Sequence, residues 1–512
     1  MTIPGPVFVV GLPLAVSLLL QLLRRWTAFM AWIAAGTAAL VGLSIALSPL
    51  NETLVYQEFG VVLGQPLYLM GRELVVEPVD RLPLAFIFLT AAGLFVIAWR
   101  LLPHSNFFPN GLTMTALLAA ALLVKQVVYA ALLVEMAAIL AVFPLHEPLS
   151  SRDRPQPKPA GPDDDTVPME TPSAVVSTEM GRTSTLLGAG HVGRVKGGLR
   201  YLTYATLALP GLMVTQLLLE WFSLFPNDRG VLQSATLLLA LSFAILLGAA
   251  PFQSWLSTVA TDGSPPVVTF LFTVNIGTVW FMLLAYLEAY TWLGAQALFG
   301  PLISGVGLLM MVLGGALSAS QRHLGRLVAY ATLVDNGAMF VALGTRQAAG
   351  VALSVMMLIA RPLALGLMTI GLDGLRRMGG GDDSEAAMSG LAWESPWRAV
   401  AFIMGGVAMA GFPLSLGFAA RWGLFRLMVN DSFFQAILAL SGSAGVMMGV
   451  IGAIRILLTQ TPLHQRAPYR DDVIVLILIV VLIAATLWLG LFPQNLSSLA
   501  LQMTEGFTFL RP

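Results

Sequence analysis

The chain of 512 residues contains no cysteine. That absence excludes disulfides, thiolate zinc sites and cysteine-held iron–sulfur clusters. Charge is also scarce. Only 11% of residues are Asp, Glu, Lys or Arg, against roughly 25% in a soluble protein. There are five histidines, and no GxGxxG follows a strand, so no redox cofactor is expected in this chain. The 27 basic and 27 acidic residues balance, which gives no pointer to nucleic acid. What abounds is apolar: 57% of the residues. A spanning helix needs about 20 of them in a row. The chain therefore reads as an all-α polytopic membrane protein with about fourteen transmembrane helices. The first, Val7 to Leu23, has no basic segment before it and no small-residue cleavage site, and reads as a retained helix.

The expected organisation has five parts. Residues 1–106 form N-terminal helices with an external β-hairpin over Asn51 to Arg81, where apolar and polar residues alternate around Gly-Gln-Pro and Met-Gly-Arg. Residues 107–146 and 199–290 form a first five-helix repeat. Residues 147–198, rich in Pro, Asp, Ser and Thr, form a disordered loop that cannot bury enough surface to fold. Its run Asp163, Asp164, Asp165 reads as a solvated linker before it reads as a metal site. Residues 296–460 form a second repeat, inverted relative to the first, and 461–512 a C-terminal helix and tail. A polar connector, Arg376 to Ser395, carries Gly379 to Gly381 without the strand-loop-helix context of a phosphate site. Basic residues concentrate in alternate loops (Arg24, Arg25, Arg322, Arg376, Arg377, Arg466, Arg470). That face is expected in the cytoplasm, with both termini outside.

Two apolar stretches are interrupted. One is Gly405 to Phe425, broken by Gly411, Pro413 and Gly417. The other is Leu246 to Val268, broken by Pro251, Gly263, Pro265 and Pro266. In lipid an unpaired backbone group costs several kcal/mol, so a broken helix needs a protein-lined cavity. Paired broken helices point to an inverted-repeat transporter with its site near the midplane. Ionisable residues at membrane depth mark function by default. Here they are Glu135, Asp335, Arg361 and Arg421, with Lys125 at the turn before the Glu135 helix and Arg455 near a helix end. Two readings stand side by side: structural ion pairs with snorkelling ends, or a pathway that passes protons between charged and neutral groups through water.

In their order along the chain, several stretches resemble the antiporter-like membrane subunits of respiratory complex I (NADH–quinone oxidoreductase), which are similar to Mrp-type cation/proton antiporter subunits. They are Val79-Asp80-Arg81-Leu82-Pro83 before the third helix, LLVEMAAIL around Glu135, GGLRYLTYATLALPG from Gly197, PFQSWLSTVATDGSPPVVTFL from Pro251, HLGRLVAYATLVDNGAMFVALG from His323, and GFPLSLGFAARWGLF. The resemblance covers nearly everything except 147–198. It implies that Glu135 is the membrane-embedded proton acceptor, that Arg421 stands where a late-helix lysine or glutamate releases protons, and that Arg361 falls where the middle helices carry His or Lys. Three departures follow from the same comparison. Leu246 occupies the position of the seventh-helix lysine, Thr273 and Asn275 are the nearest polar groups to the eighth-helix base, and Asp335 replaces an uncharged residue. Arginine barely releases its proton, so Arg421 suits field-setting better than relay.

Three functions are then expected in order: a proton-translocating subunit of a complex I-like assembly, with electron chemistry in its partners; an Mrp-type monovalent cation/proton antiporter subunit; and a non-conducting scaffold for a hydrogenase or inorganic-carbon uptake partner. Partners are other membrane subunits, the bilayer of the plasma (inner) membrane, and protons or monovalent cations.

Overall fold

The computed structural model describes residues 2–22, 27–48, 53–56, 59–69, 72–102, 105–124, 126–146, 185–225, 228–292, 299–459 and 471–507. Lys125 and the run Asp163 to Asp165 lie outside them.

Among these residues ten helices are long and apolar enough to cross a membrane, and four shorter apolar helices accompany them. In chain order come α1 (Leu12–Leu22), α2 (Thr27–Leu47), α3 (Pro78–Leu101), α4 (Phe107–Leu123), α5 (Val127–His146), α6 (Thr185–Leu224), α7 (Arg229–Leu246), α8 (Ser254–Asp262), α9 (Pro265–Phe270) and α10 (Ile276–Ala289). They are followed by α11 (Phe299–Ala319), α12 (Leu324–Gly344), α13 (Ala348–Met378), α14 (Glu385–Met388), α15 (Leu391–Glu394), α16 (Pro396–Ala410), α17 (Phe418–Asp431), α18 (Phe433–Leu458), α19 (Val473–Leu491) and α20 (Gln494–Thr504). A π-helical turn, Leu271–Asn275, joins α9 to α10.

Every residue from Pro265 to Leu284 is buried, whereas in α19 only Val475, Ile479 and Thr486 are. The first is therefore central and the last peripheral, where its Ile, Leu and Val side chains meet lipid or a neighbour. Helices α11 and α18 cross closely through small residues. A Cβ added at Gly315 would sit 2.7 Å from the Gly442 backbone. Without a hydrophobic drive between helices in lipid, such small-residue contacts let dispersion hold them together.

Each five-helix run has its break in the fourth member. The first is α7/α8, interrupted at 247–253; the second is α16/α17, interrupted at 411–417. At the second break Gly411 caps α16 with φ of 71°, a left-handed conformation that glycine adopts without a Cβ penalty. A Cβ there would also strike Arg421 Cγ at 2.6 Å.

Five sequence expectations change. The external β segment is two hairpins, not one: β2 (Thr53–Tyr56) pairs antiparallel with β3 (Phe59–Val62), and β4 (Leu67–Leu69) with β5 (Arg72–Leu74). The strand β1 (Thr2–Pro4) adds to β3 in parallel. Val79 to Pro83 lies inside α3, because Glu77 and Asp80 form a capping box that starts the helix earlier. The loop expected to run to residue 198 ends by Thr185, where α6 begins. Pro265 and Pro266 do not break a helix; they open α9 at its first two positions, where a missing N–H costs nothing. The polar connector after Arg376 likewise contains the helical turns α14 and α15.

Candidate functional site

Asp335 on α12 sits between two arginines from other helices. Its Oδ2 accepts Arg361 Nε at 2.8 Å and lies 2.7 Å from Arg361 Nη2; its Oδ1 accepts Arg421 Nη2 at 3.0 Å. All three residues are buried, with exposures of 6%, 1% and 1%. Two guanidiniums and one carboxylate leave one surplus positive charge inside the bundle. Such a cluster persists only if its remaining donors find acceptors, and the irregular backbone supplies them. Arg361 Nη1 donates to Phe272 O at 3.3 Å, in the π turn. Arg421 Nη2 reaches Met409 O at 3.4 Å, in the last turn of α16, where the break leaves carbonyls without helical partners. Arg421 Nη1 donates to Ser443 Oγ on α18 at 3.0 Å, and Arg361 Nη2 to Met339 Sδ at 3.0 Å. A cavity of about 10 Å³ touches Asp335, Arg361, Gly417 and Arg421. That is about the space for one water.

Glu135 stands apart on α5. Its Oε1 accepts the hydroxyl of Thr206 on α6 at 2.5 Å, while its buried Oε2 has no partner among the described residues. Tyr201, one and a half turns before Thr206, faces both Glu135 and Asn275. Asn275 closes the π turn whose Phe272 carbonyl binds Arg361. Asn336, next to Asp335, donates to Leu247 O at 2.9 Å at the first break. The Oδ1 atoms of Asn275 and Asn336 are buried and unpartnered. Buried polar atoms are normally satisfied, and an ordered water is the usual partner when no side chain serves. The polar groups thus run from Glu135 through Tyr201 and Asn275 to Arg361, Asp335, Arg421 and Ser443.

Among the residues expected at the site, the structure brings Asp335, Arg361 and Arg421 into one cluster beside Gly411 and Gly417, and leaves Glu135 on a separate helix. Pro251 lies in the turn of the first break, and Pro413 in that of the second. Leu246 is the last residue of α7 and is 7% exposed, so an apolar side chain fills the place where the resemblance sets a lysine. Arg455, in the last turn of α18, is exposed.

Sequence reasoning missed a second cluster at one end of the bundle. Arg376 is 5% exposed, donates to Asp383 at 2.5 Å, and caps α8 through Ala260 O (2.7 Å) and Gly263 O (3.0 Å). Asp383 also accepts Gly325 N–H at 2.9 Å at the start of α12. His323, Asp382 and Asp383 lie close enough to share a cation. The carboxylate of Asp383, however, is already engaged by Arg376 and Gly325, so the group reads as an ion-paired clamp. The Ser384 hydroxyl and backbone N–H hold the Asp382 carboxyl below its usual range.

A bundle of spanning helices with two discontinuous members and a buried charged cluster beside the second break fits a transporter-class membrane protein. The family "NADH:quinone oxidoreductase/Mrp antiporter, TM" matches residues 201–452. NADH-quinone oxidoreductase subunit N from Rhodococcus opacus is 25% identical over 314 residues, covering 59% of this chain and 55% of the relative. The chain spans about half the length of such curated relatives. A chain of the Mrp complex from Dietzia sp. superposes with a TM-score of 0.73 at 15% identity, covering 98% of this chain and 97% of its own. A chain of respiratory complex I from Thermus thermophilus gives 0.64 at 17% identity, covering 95% and 98%. Residues 201–452 are thus similar to the membrane subunits shared by NADH:quinone oxidoreductase and Mrp-type antiporters, and nearly the whole chain has the fold of the Mrp and complex I chains.

Proposed function

We propose that this chain is a proton-translocating membrane subunit of a complex I-like assembly, with redox chemistry in its partners. The observation that carries the reading is the Arg361–Asp335–Arg421 cluster, buried where a broken helix meets α12 and continued toward Glu135 by polar groups. In this reading Glu135 takes up a proton at its unpartnered Oε2 while Thr206 fixes its orientation. The change in charge is felt through Tyr201 and Asn275 by the Arg361–Asp335 pair. Arginine keeps its proton, so Arg361 and Arg421 set the field, and the mobile protons ride on Glu135, Asp335 and water. Lys125, two residues before α5 in the sequence, would feed Glu135. The second break, at Gly411, Pro413 and Gly417, gives Arg421 the Met409 carbonyl and the room for water, while the first, at Pro251, leaves the Leu247 carbonyl to Asn336. The assembly sits in the plasma (inner) membrane, with both termini outside the cytoplasm, because the face bearing Arg322, Arg376 and Arg377 is the more basic.

Proton flux into vesicles holding the purified assembly tests this. Glu135→Gln should abolish the flux contributed by this subunit and leave assembly intact; unchanged flux removes Glu135 from the mechanism. One observation favours a second reading, a non-conducting scaffold: Leu246 puts an apolar side chain where the resemblance sets a base. Wild-type flux indifferent to the presence of this subunit would select it. Sodium dependence of the flux would select cation/proton antiport.

A further inference from the structure

An apolar groove of about 530 Å³ opens on the flank of the bundle, between α3, α13, α19 and α20. Leu89, Gly93, Ile97, Pro362, Val481 and Leu499 are among its walls, and among the described residues Thr90 is the only polar side chain lining it. One turn beyond Ile97, Arg100 stands in the last turn of α3. Its Nη1 lies 3.4 Å from Asp472, the residue that caps α19, with side chains 35% and 44% exposed. The Arg100 guanidinium lies 4.4 Å over the Trp99 ring, and Trp99 meets the exposed Trp32 edge-on at 5.0 Å. Arg100 Nε is buried and has no partner among the described residues.

Trp at this level marks the headgroup region, where an amphipathic ring is at home. The groove therefore runs from hydrocarbon depth toward the interface, and the Arg100–Asp472 pair stands one turn beyond its Ile97 end. A transmembrane helix is about 10 Å across and could only lie over a groove of this size, not within it. A lipid chain is thinner and unbranched. We propose that this groove binds a zwitterionic, amine-bearing phospholipid. One acyl chain lies along Gly93 against Pro362, the phosphate meets the free edge of the Arg100 guanidinium, and the ammonium meets Asp472. The charge pair is complementary to such a headgroup, whereas an anionic headgroup without an amine would leave Asp472 facing like charge. The bound chain would cover α13 one residue from Arg361 and keep bilayer disorder away from the buried cluster.

The test uses the full-length chain, purified in detergent and stripped of lipid. It is then exposed to vesicles of phosphatidylethanolamine or phosphatidylglycerol carrying a photoreactive acyl chain. Native mass spectrometry should count at least five-fold more retained phosphatidylethanolamine, with label on α3 between Thr90 and Ile97 and on α19 between Leu478 and Leu482. A Cβ at Gly93 meets nothing within 4 Å, so Gly93→Leu should fold and fill the groove, cutting retention at least ten-fold. Arg100→Gln should lower it to a similar degree, with helical content unchanged by circular dichroism. Equal retention of the two lipids, label elsewhere, or full retention by Gly93→Leu overturns the proposal. So does a crosslink from Gly93→Cys to another subunit in native membranes, which would give the groove to a protein.

Discussion

Arg421 reaches across from the second half of a broken helix to the carboxylate of Asp335, 3.0 Å away and 86 residues earlier in the chain. Because Asp335 also holds Arg361, its one negative charge compensates two positive ones.

Asp335→Asn would leave both guanidiniums buried without a counter-charge. Breaking a buried pair in this way costs about 3–5 kcal/mol. The variant should unfold at a clearly lower temperature in detergent and should lose proton flux in the assembly. A melting curve superimposable on wild type would show that solvent, not Asp335, compensates the arginines.

Arg361→Lys keeps the charge but not the fork. A single ammonium cannot serve Asp335, Phe272 O and Met339 Sδ in the same geometry. A loss of about 1–3 kcal/mol is expected. Arg421→Lys should lose its reach to Ser443 and Met409 O in the same way. Thermal unfolding of each variant checks this, and full stability of both would mean that the charge alone matters.

Thr206→Val removes the hydroxyl that orients Glu135. One hydrogen bond to a charged group is worth about 1.5–3 kcal/mol, so subunit-dependent flux should drop at least several-fold while the complex still assembles. Flux equal to wild type would mean that another group fixes the Glu135 rotamer.

Leu246→Lys puts a base at the end of α7, beside the first break. A lysine at membrane depth costs about 2.5–3.5 kcal/mol, partly offset by neighbouring polar groups. The variant should express at a reduced level yet raise flux per assembled complex. A fall in flux would argue that the apolar plug at Leu246 belongs to the working pathway.

Arg376→Gln should free the C-terminal end of α8 and leave Asp383 buried without its cation. Faster amide exchange is expected in Ser254–Asp262 and in the first turn of α12. Exchange confined to Arg376's own helix would show that Ala260 and Gly263 are capped by something else.

The spans were legible because a membrane helix must be apolar along its length. Asp335, Arg361 and Arg421 stood out for the complementary reason: a charge in such a run is costly. The break at Gly411 to Gly417 could be read from its glycines and proline. What could not be read was contact. Nothing in the spacing says that Asp335 takes two arginines, or that Glu135 rests on Thr206, since both depend on helix rotation. Arg376 looked like one more basic loop residue, yet it is buried, because the carbonyls it caps come from a helix more than a hundred residues away. Pro265 and Pro266 read as a break because proline ends helices more often than chance; here it starts one. The two hairpins merged into one because their alternation runs on through both turns.

The 31-residue helix α13 carries Arg361 near its middle and Arg376 near its end, 15 residues or about 22 Å apart along the axis. One end is fastened to the first broken helix, and the middle to the cluster that the second one completes. A helix held at two such points acts as a lever, and Pro362, next to Arg361, is where it can flex. A tilt that loosens its grip on α8 is then passed toward the Arg361 guanidinium, which links the two ends of the bundle.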